Sequence, residues 1–227
     1  MCGRYASTRS SDAIATELDA SNDVEHDVLG RYNTAPSQLI RVAVHNPDTD
    51  RRSLTAAQWG FRRFRGMTAA PTNARAETAG TSRLFTTAVR GGRLVVPMDG
   101  WYEWRTTTDP DGKTIKQPHY MTPTDGTLLA AAGLYSWWHT DDDRRILTCT
   151  ILTTTATGRL HDIHHRMPLL VDTDTLTAWL NPDTDPAHIL TAPHIEQIAA
   201  GLHVRPVGRA VGSYRNEGPH LIDPITA

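Results

Sequence analysis

Apolar and polar positions alternate along several stretches of this 227-residue chain, and alternation of period two marks a half-buried strand. The spacing predicts strands at 38–44 (QLIRVAV), 53–60 (SLTAAQWG), 93–97, 100–105, 117–121, 127–137, 145–154 and 203–207. Leu169-Leu170-Val171 reads as a further short strand. Asn46-Pro47-Asp48 supplies turn chemistry between the first two strands, and Asp109-Pro110-Asp111-Gly112 breaks a later pair. Helical spacing occurs at 11–19 (SDAIATELD), where Ser11 is the expected N-cap. It recurs at 78–90, after Asn73-Ala74-Arg75, and in two shorter runs at 173–180 and 193–200. Strands dominate and do not alternate regularly with helices, so an α+β fold is expected rather than a doubly wound sheet.

Composition narrows the class. With 39% apolar and 21% charged residues the chain suits one sizeable domain with a buried core, and no repeat or low-complexity block divides it. No apolar run approaches the roughly 20 residues of a membrane span, and no basic segment followed by an apolar one opens the chain. Cys2 and Cys149 are the two cysteines, too few for a disulfide framework and suited to a reducing cytoplasm. Neither zinc-site spacing nor a Gly-rich phosphate loop occurs. Cys149 lies in an apolar run and reads as a core thiol, Trp137-Trp138 reads as packing, and Asp141-Asp142-Asp143 reads as a loop tip.

Net charge is −2, which by itself argues against nucleic acid. The distribution changes that picture. Residues 51–93 hold nine arginines against Glu77 alone, a local balance of +8, so the rest of the chain sums to −10. A basic patch, more than total charge, is the footprint of phosphate binding. The alternative is a solvated basic face.

Four segments concentrate reactive chemistry. Removal of Met1 from Met1-Cys2-Gly3-Arg4-Tyr5 leaves a 1,2-aminothiol on Cys2. Its α-amine, with a pKa of about 7.7–8.0, is partly neutral at neutral pH. Amine and thiol together can capture an aldehyde as an imine and then as a closed thiazolidine. The second segment, Pro71 to Glu77, lies inside the basic stretch. In the third, Asp99-Gly100-Trp101-Tyr102-Glu103-Trp104, strand alternation puts Trp101 and Glu103 on one face, Tyr102 and Trp104 on the other. A Glu103 kept from water is a proton shuttle; otherwise it is an edge-strand carboxylate facing solvent. The fourth is His161-Asp162-Ile163-His164-His165-Arg166-Met167-Pro168. It offers a single acid/base histidine or a surface loop, while metal spacing is poor.

Taken in order, Cys2-Gly3-Arg4, Asn33-x-Ala35-Pro36, Trp59-Gly60, Asn73-Ala74-Arg75-x-Glu77, Gly100-x-Tyr102-Glu103-Trp104, Ile163-His164-x-Arg166-Met167-Pro168 and Asn216-x-Gly218-Pro219 resemble one family. It is the SOS response-associated peptidase family, the abasic-site processing proteins of bacteria and their eukaryotic relatives. The likeness runs from Cys2 to about Pro224. Trp101 stands where the family often has Phe, and Val211-Gly212-Ser213-Tyr214 is atypical.

The resemblance implies covalent capture of the C1′ aldehyde of an abasic site in single-stranded DNA by the Cys2 amine and thiol. By the same match Asn73 holds the sugar or the N-terminus, Glu103 moves protons, and His164 assists ring opening and reversal. Arg4, Arg75 and Arg166 would grip phosphates. Trp59, Trp104 and Pro36 are candidates for stacking or wedging, with core packing the equal alternative for Trp59. Arg62, Arg63 and Arg65 would line the basic surface.

The expected architecture is α+β: one domain over 1–227, a mainly antiparallel, curved, barrel-like sheet core and several short peripheral helices. No cofactor, metal or membrane partner is expected, and the chain should be a cytoplasmic monomer, on the nucleoid when bound to damaged DNA. Lyase and autopeptidase activities belong to the same expectation. A non-covalent single-stranded DNA-binding module and an N-terminal cysteine amidohydrolase are the competing functions.

Overall fold

The computed structural model describes residues 2–24, 28–109, 111–192 and 194–225. Met1, Pro110 and the first residue of the helix predicted at 193–200 lie outside the described residues. The chain begins with strand β1 (Tyr5–Ser7), helix α1 (Ser11–Glu17) and strands β2 (Ala20–Asn22) and β3 (Arg31–Thr34). Strands β4 (Leu39–Asn46), β5 (Arg51–Trp59) and β6 (Asn73–Arg75) lead to helices α2 (Ala76–Ala79) and α3 (Thr86–Gly91). Five strands follow: β7 (Arg93–Met98), β8 (Gly100–Thr108), β9 (Thr114–Pro123), β10 (Leu129–His139) and β11 (Arg145–Thr155). After them come β12 (Arg166–Pro168), β13 (Leu170–Val171), α4 (Thr173–Leu180), α5 (Ala187–Leu190), α6 (Ile195–Ala200) and β14 (Leu202–Pro206).

The expected α+β, mainly antiparallel, barrel-like architecture is present. Strands β11, β10, β7, β4 and β5 follow one another antiparallel, and β5 returns to β11 through a parallel contact, Thr148 opposite Gln58 and Cys149 opposite Trp59. That contact closes five strands into a barrel. Alternation then sorts the side chains. Ile40, Val42, Ala57, Trp59, Leu94, Val96, Met98, Ala131, Cys149 and Ile151 form one buried cluster that fills the interior. Intervening positions such as Ala43, Leu54, Val95, Ala132 and Leu152 pack outward against Ile14 of α1, Val89 of α3 and Trp179 of α4. A second sheet, ordered β14-β9-β8-β1-β3, adds Tyr5, Trp101 and Met121 to the interior cluster.

Two details differ from the sequence expectation. Ser10, not Ser11, caps α1, its hydroxyl accepting from the Ala13 N–H at 3.2 Å. The single helix expected at 78–90 is two, because α2 ends at Gly80 and the chain turns through Thr81 and Ser82 before α3. Among the described residues, no helix is long and apolar enough to cross a membrane.

Candidate functional site

Strand β11 organises the site. Along one edge of β11 lie β5 and then β6, parallel to it, with Asn73, Ala74 and Arg75 opposite Ile151, Leu152 and Thr153. Antiparallel β12 also pairs with the far end of β11, setting Arg166 opposite Thr155. The Asn73–Arg75 and His164–Pro168 segments therefore converge on the last residues of β11, although some ninety positions separate them in sequence.

Glu103 reaches the same region from the other sheet. The Tyr102 N–H donates to the Arg4 carbonyl at 2.9 Å, which ties the N-terminal segment to β8. Trp101 belongs to the interior cluster, whereas Tyr102 and Trp104 belong to a separate cluster with Tyr120, as strict alternation requires. Glu103 is buried, so the solvent-facing alternative is ruled out. Burial raises the pKa of its carboxyl, and His164 stands near enough to oppose that shift by its charge. Gly100 opens the strand where a side chain would strike the Met121 carbonyl oxygen at 2.3 Å and the Tyr120 ring at 2.5 Å. Only the absence of a Cβ lets β9 approach this closely.

Cys2 is fully buried within the interior cluster. Burial first, and the Glu103 carboxylate second, push its thiol far above the ordinary thiol range. The resting sulfur is therefore a protonated thiol beside a carboxyl group of raised pKa. Cys149, expected as a core thiol, is buried in the same cluster.

His164 Nδ1 lies 3.0 Å from both the backbone N and the backbone O of Arg166. The neutral ring accepts from the Arg166 N–H when its proton sits on Nε2; a protonated ring can donate to the Arg166 carbonyl. His165 stacks on His164 with ring centroids 4.4 Å apart, and the His164 charge lowers its pKa. Asn73 donates through Nδ2 to Thr72 Oγ1 at 3.2 Å.

Three expectations need correction. Trp59 is wholly inside the barrel; its Nε1 donates to the Thr72 carbonyl at 2.8 Å and its ring meets Tyr5 at 5.5 Å, so no base can stack on it. Arg166 is buried and gripped by Glu77 at 2.7 and 2.9 Å and by the Thr153 carbonyl at 2.5 Å. It holds the wall of the site and is not a free phosphate clamp. Trp137, expected to pack, is 44% exposed.

The other expected contacts are arranged differently. Arg4 is half-buried and donates to Asn33 Oδ1 at 3.0 Å and to the Val211 carbonyl at 3.3 Å, so the atypical tail segment reaches the N-terminal motif. Asn33 in turn donates to the carbonyls of Ser213 and Asn216. Arg75 is exposed. Pro36 sits half-buried in the turn whose Ser37 N–H donates to the Trp59 carbonyl at 2.7 Å, and Trp104 is half-buried beside Tyr102.

One residue escaped the sequence reading. His119 stands directly across β9 from Glu103, which puts both side chains on one face. Burial lowers its pKa. The pairing register of β8 and β9 would have revealed it, but the Asp109–Gly112 turn does not fix that register from sequence alone.

Four buried polar atoms in these segments, Arg4 Nε, Asn73 Oδ1, Trp101 Nε1 and Arg166 Nε, have no hydrogen-bond partner among the described residues. Buried polar atoms are nearly always paired, so their concentration in the motif segments marks a place built for polar contact. Among the described residues no group of three His, Cys, Asp or Glu side chains is placed to hold a metal ion.

The family model described as SOS response associated peptidase matches residues 1–214. The chain is 32% identical to the abasic site processing protein YoqW of Bacillus subtilis, over 98% of this chain and 99% of that one. It is 30% identical to the abasic site processing protein YedK of Escherichia coli, over 99% and 100%. A crystal structure of a protein from Bacteroides thetaiotaomicron superposes with a TM-score of 0.82 at 20% identity, over 99% of this chain and 100% of that one, a likeness of fold.

Proposed function

Because the chain belongs to the SOS response associated peptidase family, we propose that it processes abasic sites in single-stranded DNA by covalent capture at Cys2. The observation that carries this reading is the placement of a buried carboxyl of raised pKa against the Cys2 thiol. Relatives named for abasic-site processing supply the substrate class.

The chemistry follows from the pKa order. With Cys2 as the N-terminal residue, its α-amine is the more available nucleophile, since the thiol is held protonated. The amine attacks the C1′ aldehyde of the open deoxyribose. Glu103 in its acid form delivers a proton to the departing hydroxyl, giving the protonated imine and one water. Glu103, now a carboxylate, accepts the thiol proton as sulfur adds to the carbon of the protonated imine, and the ring nitrogen keeps the proton it already carries. The thiazolidine product equals protein plus DNA minus one water.

His164, near Glu103, serves as the second acid/base group, for sugar ring opening and for reversal. The Asn73 amide, with its carbonyl oxygen buried and unpartnered among the described residues, bonds the sugar hydroxyl or the Cys2 amine. Arg75 is the exposed cation for a flanking phosphate, and Arg4 supports the same strand through its remaining N–H groups. The protein acts as a cytoplasmic monomer without a cofactor. A lyase step at the same imine, by β-elimination, and peptidase activity at the Cys2 bond belong to the proposal.

Intact mass of the protein, alone and after incubation with a single-stranded oligonucleotide carrying one abasic site, tests it. A heat-stable adduct of protein plus oligonucleotide minus water, absent for Cys2→Ala, is the expected result. A protein that begins at Cys2 and forms no adduct overturns it. Retention of DNA by Cys2→Ala that disappears at high salt would mark a binding module instead.

A further inference from the structure

Residues 60–72, between β5 and β6, leave the barrel wall and return to it, and they carry Arg62, Arg63 and Arg65 outward. Behind this excursion an open cleft of about 420 Å³ lies between it, α3 and the end of β10, walled by Phe61, Arg63, Gly91, Gly92, Tyr135 and Trp137. Trp137 is 44% exposed, and the Arg145 guanidinium lies 4.3 Å from the centroid of its ring. The Arg62 guanidinium covers Trp138 at 4.9 Å, and Phe64 stands 59% exposed nearby in sequence. An apolar packing role explains neither the exposed indole nor the cation held on its face.

Charge decides what this cleft suits. The neighbouring turn is acidic, but Asp143 is paired with Arg65 at 3.2 Å and Asp142 with Arg144 at 2.7 Å. Arg62, Arg63 and Arg145 have no carboxylate partner among the described residues. Flat aromatic surface flanked by unpaired guanidinium groups fits an unpaired base with its phosphates. Along β11, Arg145 lies about 20 Å from Ile151, where Asn73 pairs, at roughly 3.3 Å per residue. A single strand held at the Cys2 site can span that distance, since such grooves cover about 4–16 nucleotides.

We propose that the cleft of Trp137, Arg63 and Arg145 is a second, non-covalent site for single-stranded nucleic acid, which stacks a base several nucleotides away from the captured sugar. It rests on the reading of the protein as one that acts on single-stranded DNA, and it adds length-dependent affinity to that reading. The site itself makes no bond and needs no lesion.

The test uses the full-length protein and fluorescently labelled undamaged oligodeoxythymidine of about 6 and about 20 nucleotides, compared by anisotropy. The same preparations are assayed for adduct with abasic DNA at saturating concentration. The wild type should bind the longer strand about tenfold more tightly, beyond the statistical gain, and Trp137→Ala and the Arg63→Ala/Arg145→Ala double variant should each lose that increment. Adduct yield at saturation should be unchanged. Quenching of tryptophan emission on binding the longer strand, diminished in Trp137→Phe, provides a second readout that does not depend on how Trp137→Ala folds.

Variants that bind the longer strand like the wild type, with quenching unaltered in Trp137→Phe, overturn the second site. A wild type without the length increment overturns it too, and leaves the cleft to another partner such as an acidic peptide. If the increment depends on Trp137 while no abasic adduct forms, the second site stands and the capture reading falls.

Discussion

Both oxygens of Glu77 meet both terminal nitrogens of Arg166, at 2.7 and 2.9 Å, and so join the helix that follows β6 to the strand that follows His164. The bidentate pair fixes Arg166, whose backbone N–H is the partner of His164 Nδ1 at 3.0 Å. A residue that looks in sequence like an anion clamp therefore acts as a brace for the histidine beside it.

Glu77→Gln should destabilise the protein by about 1–3 kcal/mol at neutral pH, because it leaves a buried guanidinium with weaker partners; Glu77 is itself partly exposed, which limits the loss. The Glu77 pKa is lowered by Arg166, so its contribution is present above the unfolded value of about 4.3 and is lost as pH falls through the lower folded value. Thermal melts of wild type and variant should differ at pH 7 and converge under acid. A constant difference across that range would contradict the assignment.

Glu103→Gln should slow adduct formation about 10²-fold, the usual worth of a positioned proton donor. The raised Glu103 pKa extends its acid form toward neutrality, so the wild-type rate should fall on the alkaline side as this group deprotonates, while the acid side follows the Cys2 amine. The variant should lose the alkaline fall. Stability moves the opposite way: a carboxyl whose folded pKa is raised destabilises the fold as pH climbs past its unfolded value. Glu103→Gln should melt higher than wild type at pH 7 and alike below about pH 4.

Trp59→Phe should retain adduct formation, whereas Trp59→Ala should cost about 3–5 kcal/mol of stability by leaving a void in the barrel. Denaturant titration and gel-based adduct assays separate the two. A Phe variant with full stability but no DNA affinity would restore Trp59 to the stacking role.

Arg75→Ala should leave the melting temperature unchanged, since the side chain is exposed. Its affinity for single-stranded DNA should fall, with the slope of log K against log salt shallower by about 1. An unaltered slope would remove Arg75 from the phosphate path.

Much of this was legible in the sequence because long strands advertise themselves. The alternation in 100–105 separated Trp101 and Glu103 from Tyr102 and Trp104, and Trp101 does lie in a different cluster from Tyr102 and Trp104. What stayed hidden depends on distant partners. Strands β1 and β6, each of three residues, are too short for periodicity, and they exist because β8 and β11 supply their hydrogen bonds. Trp59 and Arg166 carry side chains that suit DNA equally well, and only barrel closure and Glu77 decide otherwise. At 78–90 the helical pattern continued through Gly80, where the chain actually turns.

The parallel contact between β5 and β11 joins Trp59 to Cys149, partners that no hairpin can bring together. Contacts of such long sequence separation slow folding, because the entropy of closing the intervening loop must be met. Strand β6 rests on the same edge of β11, so Asn73 and Arg75 hang on the strand edge that also closes the ring. A partly folded chain thus holds Cys2 without Asn73 and Arg75 set beside β11. Under the proposed capture, reactivity toward aldehydes is a property of the closed barrel and is lost when the chain unfolds.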